Sequence, residues 1–269
     1  MRLHPVLPAI ALCGLAILWI PLVVMVVLSF NADKFGRGFD PSLVWYAKLW
    51  SNQAVHSAAW YSLLLAATST AIATAVGTGL ALGLHRAPWP RAVRSVLDVT
   101  IHLPVVTPDI ILAAAMVVAF AVMQGIAGLI GVEASLGLWL MILGHVTFQV
   151  AFVALVVSAR LQLIERDQDE AARDLYAGAW YSFSRVLLPQ LAPGIAAGAM
   201  LAFVLSLDDF VVSLFTASTS SITLPLYIYA AVKKGVSPEI HALSTVIIAI
   251  TAVLVLAMAR ATPKTQESP

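Results

Sequence analysis

Six long apolar runs dominate the sequence, and shorter polar connections separate them. Each run contains about 20 or more mostly apolar residues, the length that a helix needs to cross a bilayer. None alternates like a barrel strand, and only helices and closed barrels satisfy every backbone polar group in lipid. The pattern therefore predicts an all-α integral membrane protein with one transmembrane domain over residues 1–269. The six predicted helices cover residues about 8–30, 57–84, 97–124, 135–159, 191–215 and 241–259.

Composition supports this assignment. The chain is 61% hydrophobic and 11% charged, whereas soluble domains carry about 25% charged residues. Its net charge of +1, without basic runs, gives no indication of nucleic-acid binding. The six histidines are scattered, so no metal site is expected, and neither His102 nor His145 is assigned a partner.

Orientation follows from the lysines and arginines of the connections, which concentrate on the cytoplasmic side of membrane proteins. Assuming six crossings, ten of them fall on one side: Arg2, Arg86, Arg91, Arg94, Arg160, Arg166, Arg173, Arg185, Arg260 and Lys264. Five fall on the other side: Lys34, Arg37, Lys48, Lys233 and Lys234. Both termini are therefore expected in the cytoplasm, and the first run is expected to be an uncleaved anchor.

Two adjacent acids, Asp208 and Asp209, interrupt the apolar run of the fifth predicted helix. Acids inside a membrane span are costly and mark transport pathways by default. On a continuous helix, Asp209 shares one face with Ser206 and Ser213, whereas Asp208 is turned by about 100°. This favours Asp209 as the acid that faces a substrate. Three alternatives remain: an interhelical hydrogen bond, an ion pair with a partner subunit, or an acid that burial keeps protonated.

The third run carries the sequence Thr107-Pro108-Asp109 near its middle. These residues are typical of the cap and first turn of a new helix. A helix that restarts at membrane depth lies against protein or a water-filled cavity, and such breaks often mark transport sites. Alternatively, Asp109 only complements the dipole of the new helix.

The connection over residues 160–190 is the longest cytoplasmic one and the most charged part of the chain. It contains Glu170-Ala171-Ala172 and, further on, Leu188-Pro189. This spacing resembles the EAA motif of permease subunits of bacterial ABC importers. The resemblance implies that the segment forms a coupling helix, which docks into a groove on a cytoplasmic ATPase subunit.

The motif of that family has a glycine where this chain has Tyr176, and Gly178 follows two residues later. The resemblance assigns both residues to the coupling segment, with Gly178 as the candidate for the bend.

The stretches "LSFNADKFG", "TPDIILA", "LSLDDFVVSLFT" and "GVSPEIHALST" resemble the spermidine/putrescine-type permeases, and the second permease of two-permease systems in particular. The resemblance implies a type I ABC importer permease in the bacterial inner membrane that moves a small cation by alternating access. It also implies a second, homologous permease as heterodimer partner, two ATPase subunits and an extracytoplasmic binding protein. This chain is expected to bind no cofactor, with ATP and magnesium held by the ATPases.

Asp109, Ser206 and Trp45 also match positions typical of this subfamily and join Asp208 and Asp209 as pathway candidates. Carboxylates would replace the hydration that a polyamine loses on entering the membrane. Trp45 could stack on an ammonium group or serve as an interfacial anchor, and the anchor is slightly preferred.

Rival functions are testable. The chain lacks the phosphate-binding sequence G-x-x-x-x-G-K-[ST] and the motifs H-E-x-x-H and G-x-S-x-G, so no enzymatic activity is expected. An ion-coupled secondary transporter would use Asp109, Asp208 and Asp209 as relays, but it leaves the charged connection unexplained. Within ABC importers, aminoethylphosphonate and opines are alternative substrates.

Overall fold

The computed structural model describes residues 6–33, 38–129, 137–164 and 178–261, and it is built from helices. The helices are α1 (Val6–Ser29), α2 (Val44–Ser51), α3 (Gln53–Arg86), α4 (Arg91–Val106), α5 (Asp109–Leu129), α6 (Leu138–Gln162), a short turn (Ala179–Tyr181) that continues as a π-helix (Ser182–Leu187), α7 (Leu188–Asp208), α8 (Val211–Thr216), α9 (Leu224–Lys233) and α10 (Pro238–Ala261). Outside the helices, Asn31 and Pro41 form an antiparallel bridge. The predicted all-α class is confirmed.

Membrane-spanning character follows from length and apolarity. Five segments of the described chain are long and apolar enough to cross a membrane: Ile10–Ser29, Gln53–Arg86, Asp109–Ile126, Leu138–Gln162 and Ser182–Asp208. A shorter apolar segment, Pro238–Val253, lies in α10, where the sixth span is predicted. The count of six spans and the cytoplasmic placement of both termini stay predictions.

The chain divides into two compact units. One comprises Met1–His56 with Tyr227–Pro269, and the other comprises Ser57–Leu226. The prediction of a single transmembrane domain is not tested by this division, and each unit is described by itself.

In the first unit, α10 packs against α1 and α2. The Nδ2 atom of Asn52 donates to Oε1 of Glu239 at 2.6 Å and to the Tyr227 hydroxyl at 3.2 Å. Lys48 Nζ lies 3.4 Å from Oε2 of Glu239. The end of α2 is thereby fixed to the first turn of α10.

In the second unit, α6 is the central helix and packs against α4, α7 and α8. Its contact with α7 is close, because a Cβ added to Gly194 would lie 2.6 Å from Cβ of Arg160. The same arginine donates from Nε to the carbonyl oxygen of Gln190 at 3.1 Å. These contacts hold together the ends of α6 and α7 that flank the charged connection.

The third predicted helix, 97–124, is two helices, α4 and α5. The predicted restart at Asp109 is confirmed, since α4 ends before Thr107 and the Pro108 carbonyl accepts from Ile111 and Leu112. Thr107 is extended, as expected for a residue before proline. Its predicted capping role is wrong, because its hydroxyl donates back to the Leu103 carbonyl at 2.6 Å. The apolar span begins at Asp109, so the break lies at the end of a span and not in its middle.

A π-helical turn, Ser182–Leu187, precedes α7, and Leu188 N–H donates to the Phe183 carbonyl across five residues. Pro189 lies in the first turn of α7. A proline removes one backbone donor and crowds the turn before it, which explains the wider winding there.

Candidate functional site

The apolar helix that carries the two adjacent acids is interrupted at those acids. α7 ends at Asp208, Asp209 is extended with φ −64° and ψ 126°, and α8 begins at Val211. The continuous helix predicted over 191–215 is therefore wrong. The Asp209 carboxylate accepts hydrogen bonds from the backbone N–H groups of Val212 at 3.2 Å and Ser213 at 2.8 Å. An aspartate side chain that bonds nearby backbone donors competes with helical hydrogen bonds, and this is the local reason for the break.

The break lies against a buried histidine of α6. His145 is fully buried, and its Nε2 atom is 3.3 Å from Oδ2 of Asp209, whose side chain is 8% exposed. The same nitrogen is 3.1 Å from the Ser213 hydroxyl. On the opposite side of the ring, Nδ1 is 2.8 Å from the Ser206 hydroxyl. The imidazole therefore contacts α7, the break and α8 together.

The Ser206 hydroxyl extends this network to α3, where Ser69 Oγ lies 3.3 Å away. With its proton on Nε2, His145 donates towards Asp209 or Ser213 and accepts from Ser206 through Nδ1. With both nitrogens protonated, the ring donates to both sides and pairs with the Asp209 carboxylate. The oxygens on both sides of the ring therefore lie where each ring nitrogen can form a hydrogen bond.

Two further contacts fix α6 against α7 and α8 around the network. Gln149, one turn after His145, donates from Nε2 to the Ala202 carbonyl at 3.0 Å. A Cβ added to Gly144 would lie 2.9 Å from Cγ1 of Val212. The break is thus packed tightly on the helix that carries His145.

The sequence brought out only part of this site. Ser206, Asp209 and Ser213 do come together, but around His145 and not along one face of a continuous helix. The sequence pattern assigns no partner to His145 and no role to Gln149. Their spacing of four residues within an apolar run places them on one helix face, and this signal could have identified both.

The remaining pathway candidates lie in different environments. Asp208, the last residue of α7, is exposed, and so is Asp109 at the start of α5. Trp45, in the first unit, is partly buried and donates from Nε1 to the Asn31 carbonyl at 2.8 Å. The Lys48 ammonium lies 5.6 Å from the centre of its ring. Asp208 is therefore the acid next to the network whose own side chain is open to its surroundings.

A groove of about 610 Å³ runs between α3 and α7. Thr70, Thr74 and Thr78 line it, and within the described chain their buried hydroxyl oxygens have no hydrogen-bond partner. Thr68, by contrast, donates to the Leu64 carbonyl at 2.7 Å. A buried hydroxyl without a partner is unfavourable, and these three oxygens are buried within the chain itself.

Most of the predicted coupling motif lies outside the described residues, namely Glu170, Ala171, Ala172 and Tyr176. Gly178 directly precedes the turn that leads into the π-helix, and its carbonyl accepts from Ser182 N–H at 3.0 Å. Leu188 and Pro189 form the exposed start of α7. Among the residues that the structure describes, no three histidines, cysteines or acids are grouped to hold a metal ion.

Comparison with known proteins gives a consistent result. Residues 73–262 match the profile of the family described as "binding-protein-dependent transport system inner membrane component". The chain is 36% identical over 245 residues to the spermidine/putrescine transport system permease protein PotC of Escherichia coli (strain K12), covering 90% of this chain and 88% of PotC. It is 37% identical over 240 residues to the putrescine transport system permease protein PotI of the same strain, covering 89% and 84%.

Two solved structures share the fold. A bacterial ABC transporter that imports the acidic polysaccharide alginate superimposes with a TM-score of 0.76 at 17% identity, covering 98% of this chain and 96% of that chain. A bacterial alginate ABC transporter in complex with an alginate-bound periplasmic protein gives 0.74 at 19% identity, covering 94% and 90%. The resemblance read from the sequence motifs is thereby confirmed for the fold and the family.

Proposed function

Since the chain belongs to the family of inner membrane components of binding-protein-dependent transport systems, we propose that it is a permease subunit of an ATP-driven importer of polyamines. As a family member, the chain is a multi-pass transport subunit without enzymatic activity of its own. The observation that carries the polyamine assignment is the identity of 36–37% over about nine-tenths of the chain to permeases named for spermidine and putrescine.

The site offers a chemical basis for a cationic substrate. Polyamines are linear polycations, and a path across the membrane must replace their lost hydration with fixed negative charge. Asp208 is an exposed carboxylate at the end of an apolar span, whereas the neighbouring Asp209 carboxylate is occupied by His145 and two backbone N–H groups. We therefore place the substrate-facing role on Asp208 and a structural role on Asp209. The sequence preference for Asp209 depended on a continuous helix, which the chain does not form here.

Energy is proposed to come from two cytoplasmic ATPase subunits that hold ATP and magnesium. The EAA segment with Glu170 is the proposed docking element on this chain. The bond from Arg160 to Gln190 and the close contact at Gly194 join the two helices that flank this segment. A displacement of the docking element would therefore move α6 and α7 as a pair. Because α7 ends at Asp208, the break that follows it would move as well.

A second, homologous permease and an extracytoplasmic binding protein complete the proposed assembly. The second permease is proposed from the resemblance to two-permease systems. Two observations support the binding protein: the solved alginate transporter is in complex with a periplasmic protein, and the family description specifies dependence on a binding protein.

Uptake by the complete complex in proteoliposomes tests the substrate class. Labelled spermidine, putrescine and aminoethylphosphonate would each be supplied with the binding protein outside and ATP inside. We expect uptake of the two polyamines that stops without ATP, and none of the phosphonate. Uptake of the phosphonate alone would reject the polyamine assignment, and uptake driven by an ion gradient without ATPase subunits would reject the importer class.

The coupling proposal predicts that Glu170→Lys leaves the permease folded but abolishes substrate-stimulated ATP hydrolysis. The reversed charge would lie at the proposed contact with the ATPase. Glu165→Lys makes the same change of charge in the same connection outside the EAA residues, and it is expected to keep stimulation. Normal stimulation in the Glu170 variant would contradict docking through this residue.

A further inference from the structure

We propose that His145 is a positioning residue for cation recognition. Through its contacts it fixes the break between α7 and α8, and the break presents the carboxylate of Asp208. This inference rests on the proposed function, because it assumes that Asp208 faces the transported cation. It assigns the discrimination of charge to an acid together with a buried histidine that does not itself touch the substrate.

The imidazole ring of His145 contacts the chain before, within and after the break. His145 contacts Ser206 at 2.8 Å before the break, Oδ2 of Asp209 at 3.3 Å within it, and Ser213 at 3.1 Å after it. One rigid imidazole thus sets the distance between the end of α7 and the start of α8. Asp208 directly precedes Asp209 and follows Ser206 by two positions, so the chain on both sides of it is held by this ring.

The contact between His145 and Asp209 is buried. His145 is fully buried, and the side chain of Asp209 is 8% exposed. Without the imidazole, the buried Oδ2 of Asp209 would retain the Ser213 N–H donor but lose its partner on α6. A buried charged oxygen that loses a donor carries a desolvation penalty, and local rearrangement would relieve it. Because Asp208 directly precedes Asp209, such a rearrangement would change the direction of the Asp208 carboxylate.

A histidine at position 145 has a property that an apolar residue lacks. A buried polar cluster can often be replaced by apolar residues of similar volume without loss of stability. Stability alone therefore gives no reason for a histidine here. A ring with hydrogen-bonding nitrogens on opposite sides has a specific use, since it can join Ser206 on one side to Asp209 and Ser213 on the other.

A double-mutant cycle between His145→Gln and Asp208→Asn tests the inference in the reconstituted complex. We expect His145→Gln to raise the KM for spermidine about tenfold, with maximal uptake reduced less than about twofold. In the Asp208→Asn background, the same substitution is expected to change KM by less than about twofold, because the residue through which it acts has lost its charge. His102→Gln changes an exposed histidine of α4 and is expected to leave the KM unchanged.

Several outcomes would overturn the inference. An unchanged KM in His145→Gln would do so, as would equal effects of His145→Gln in both backgrounds, which would make its contribution independent of Asp208. His145→Asn is the second, smaller variant in case His145→Gln does not fold. If neither variant folds, His145 is a structural residue of the core and the proposal is rejected.

A second readout is independent of transport. Asp208→Cys, made in a Cys13→Ser background, reports the exposure of this position through its labelling rate with a positively charged thiol reagent. We expect His145→Gln to lower that rate several-fold, and an unchanged rate would contradict the positioning role. A wild-type complex that takes up no polyamine would instead refute the proposed function and leave the labelling result to stand by itself.

Discussion

In the described part of the second unit, two breaks between helices lie at the ends of apolar spans, and each break carries an aspartate. Between α4 and α5, Thr107 and Pro108 separate the helices, and Asp109 is exposed at the new start. Between α7 and α8, no proline is present at the break, and Asp209 is turned inward against His145. The two aspartates therefore lie in different environments. Asp109 is exposed at a break that a neighbouring proline produces, whereas Asp209 is buried and contacts a residue of another helix.

The difference shows how each break is specified. A proline limits its own backbone and that of the residue before it, so the first break requires nothing outside its own residues. The second break needs both carboxylate oxygens of Asp209 for the backbone donors of α8, and it needs His145, which contacts Oδ2 together with the Ser213 N–H group. A break that depends on contacts between helices can respond when those helices move, whereas a proline break cannot be switched in this way.

The largest effect is expected from crowding the second break. Gly144→Leu would drive its side chain into Val212, which lies 2.9 Å from the position of an added Cβ. Overpacking of this kind costs about 3 kcal/mol at the upper end of its range. The variant is expected to yield little folded protein on size-exclusion chromatography. Gly79→Leu is the control, because nothing lies within 4 Å of an added Cβ there, and equal yields would contradict the tight packing of α6 on α8.

A smaller effect is expected from neutralising the buried acid. Asp209→Asn weakens the charged hydrogen bonds to His145, Val212 and Ser213, which corresponds to about 1.5 kcal/mol of lost stability. The apparent Tm in detergent should fall. Asp109→Asn removes the matching charge at the exposed break and should leave the Tm within error of the wild type. Equal shifts in the two variants would show that the two aspartates are not held differently.

The smallest effect is expected at the proline. Pro108→Ala frees the backbone of the unfolded chain and costs about 0.4–1 kcal/mol, without removing any contact of the second break. Its KM for spermidine is expected to equal that of the wild type. A rise in KM comparable to that of His145→Gln would mean that both breaks serve recognition.

The sequence predicted the features that depend on local chemistry. The apolar runs located five helices of the described chain that are long and apolar enough to cross a membrane, since length and apolarity are local properties of the sequence. The restart at Asp109 followed from Pro108 and its neighbours. The motif over residues 160–190 pointed to the family that the comparisons confirm.

The buried network around His145 could not be predicted from local sequence patterns. His145 is separated from Ser206 and Ser213 by 61 and 68 positions in the chain. Such pairs depend on how α6 packs against α7 and α8, and no local pattern encodes that packing. The preference for Asp209 over Asp208 was derived from helical periodicity, which assumes that the helix continues. The break at Asp209 removes that assumption.

The central claim is that an exposed acid at the second break recognises a transported polycation. Its most direct test is the KM for ATP-dependent spermidine uptake by proteoliposomes that contain the complete complex with Asp208→Asn. Asp98→Asn, which neutralises an exposed acid of α4, is the matched control. The account predicts a KM raised about tenfold in Asp208→Asn and unchanged in the control. An unchanged KM in Asp208→Asn would contradict it.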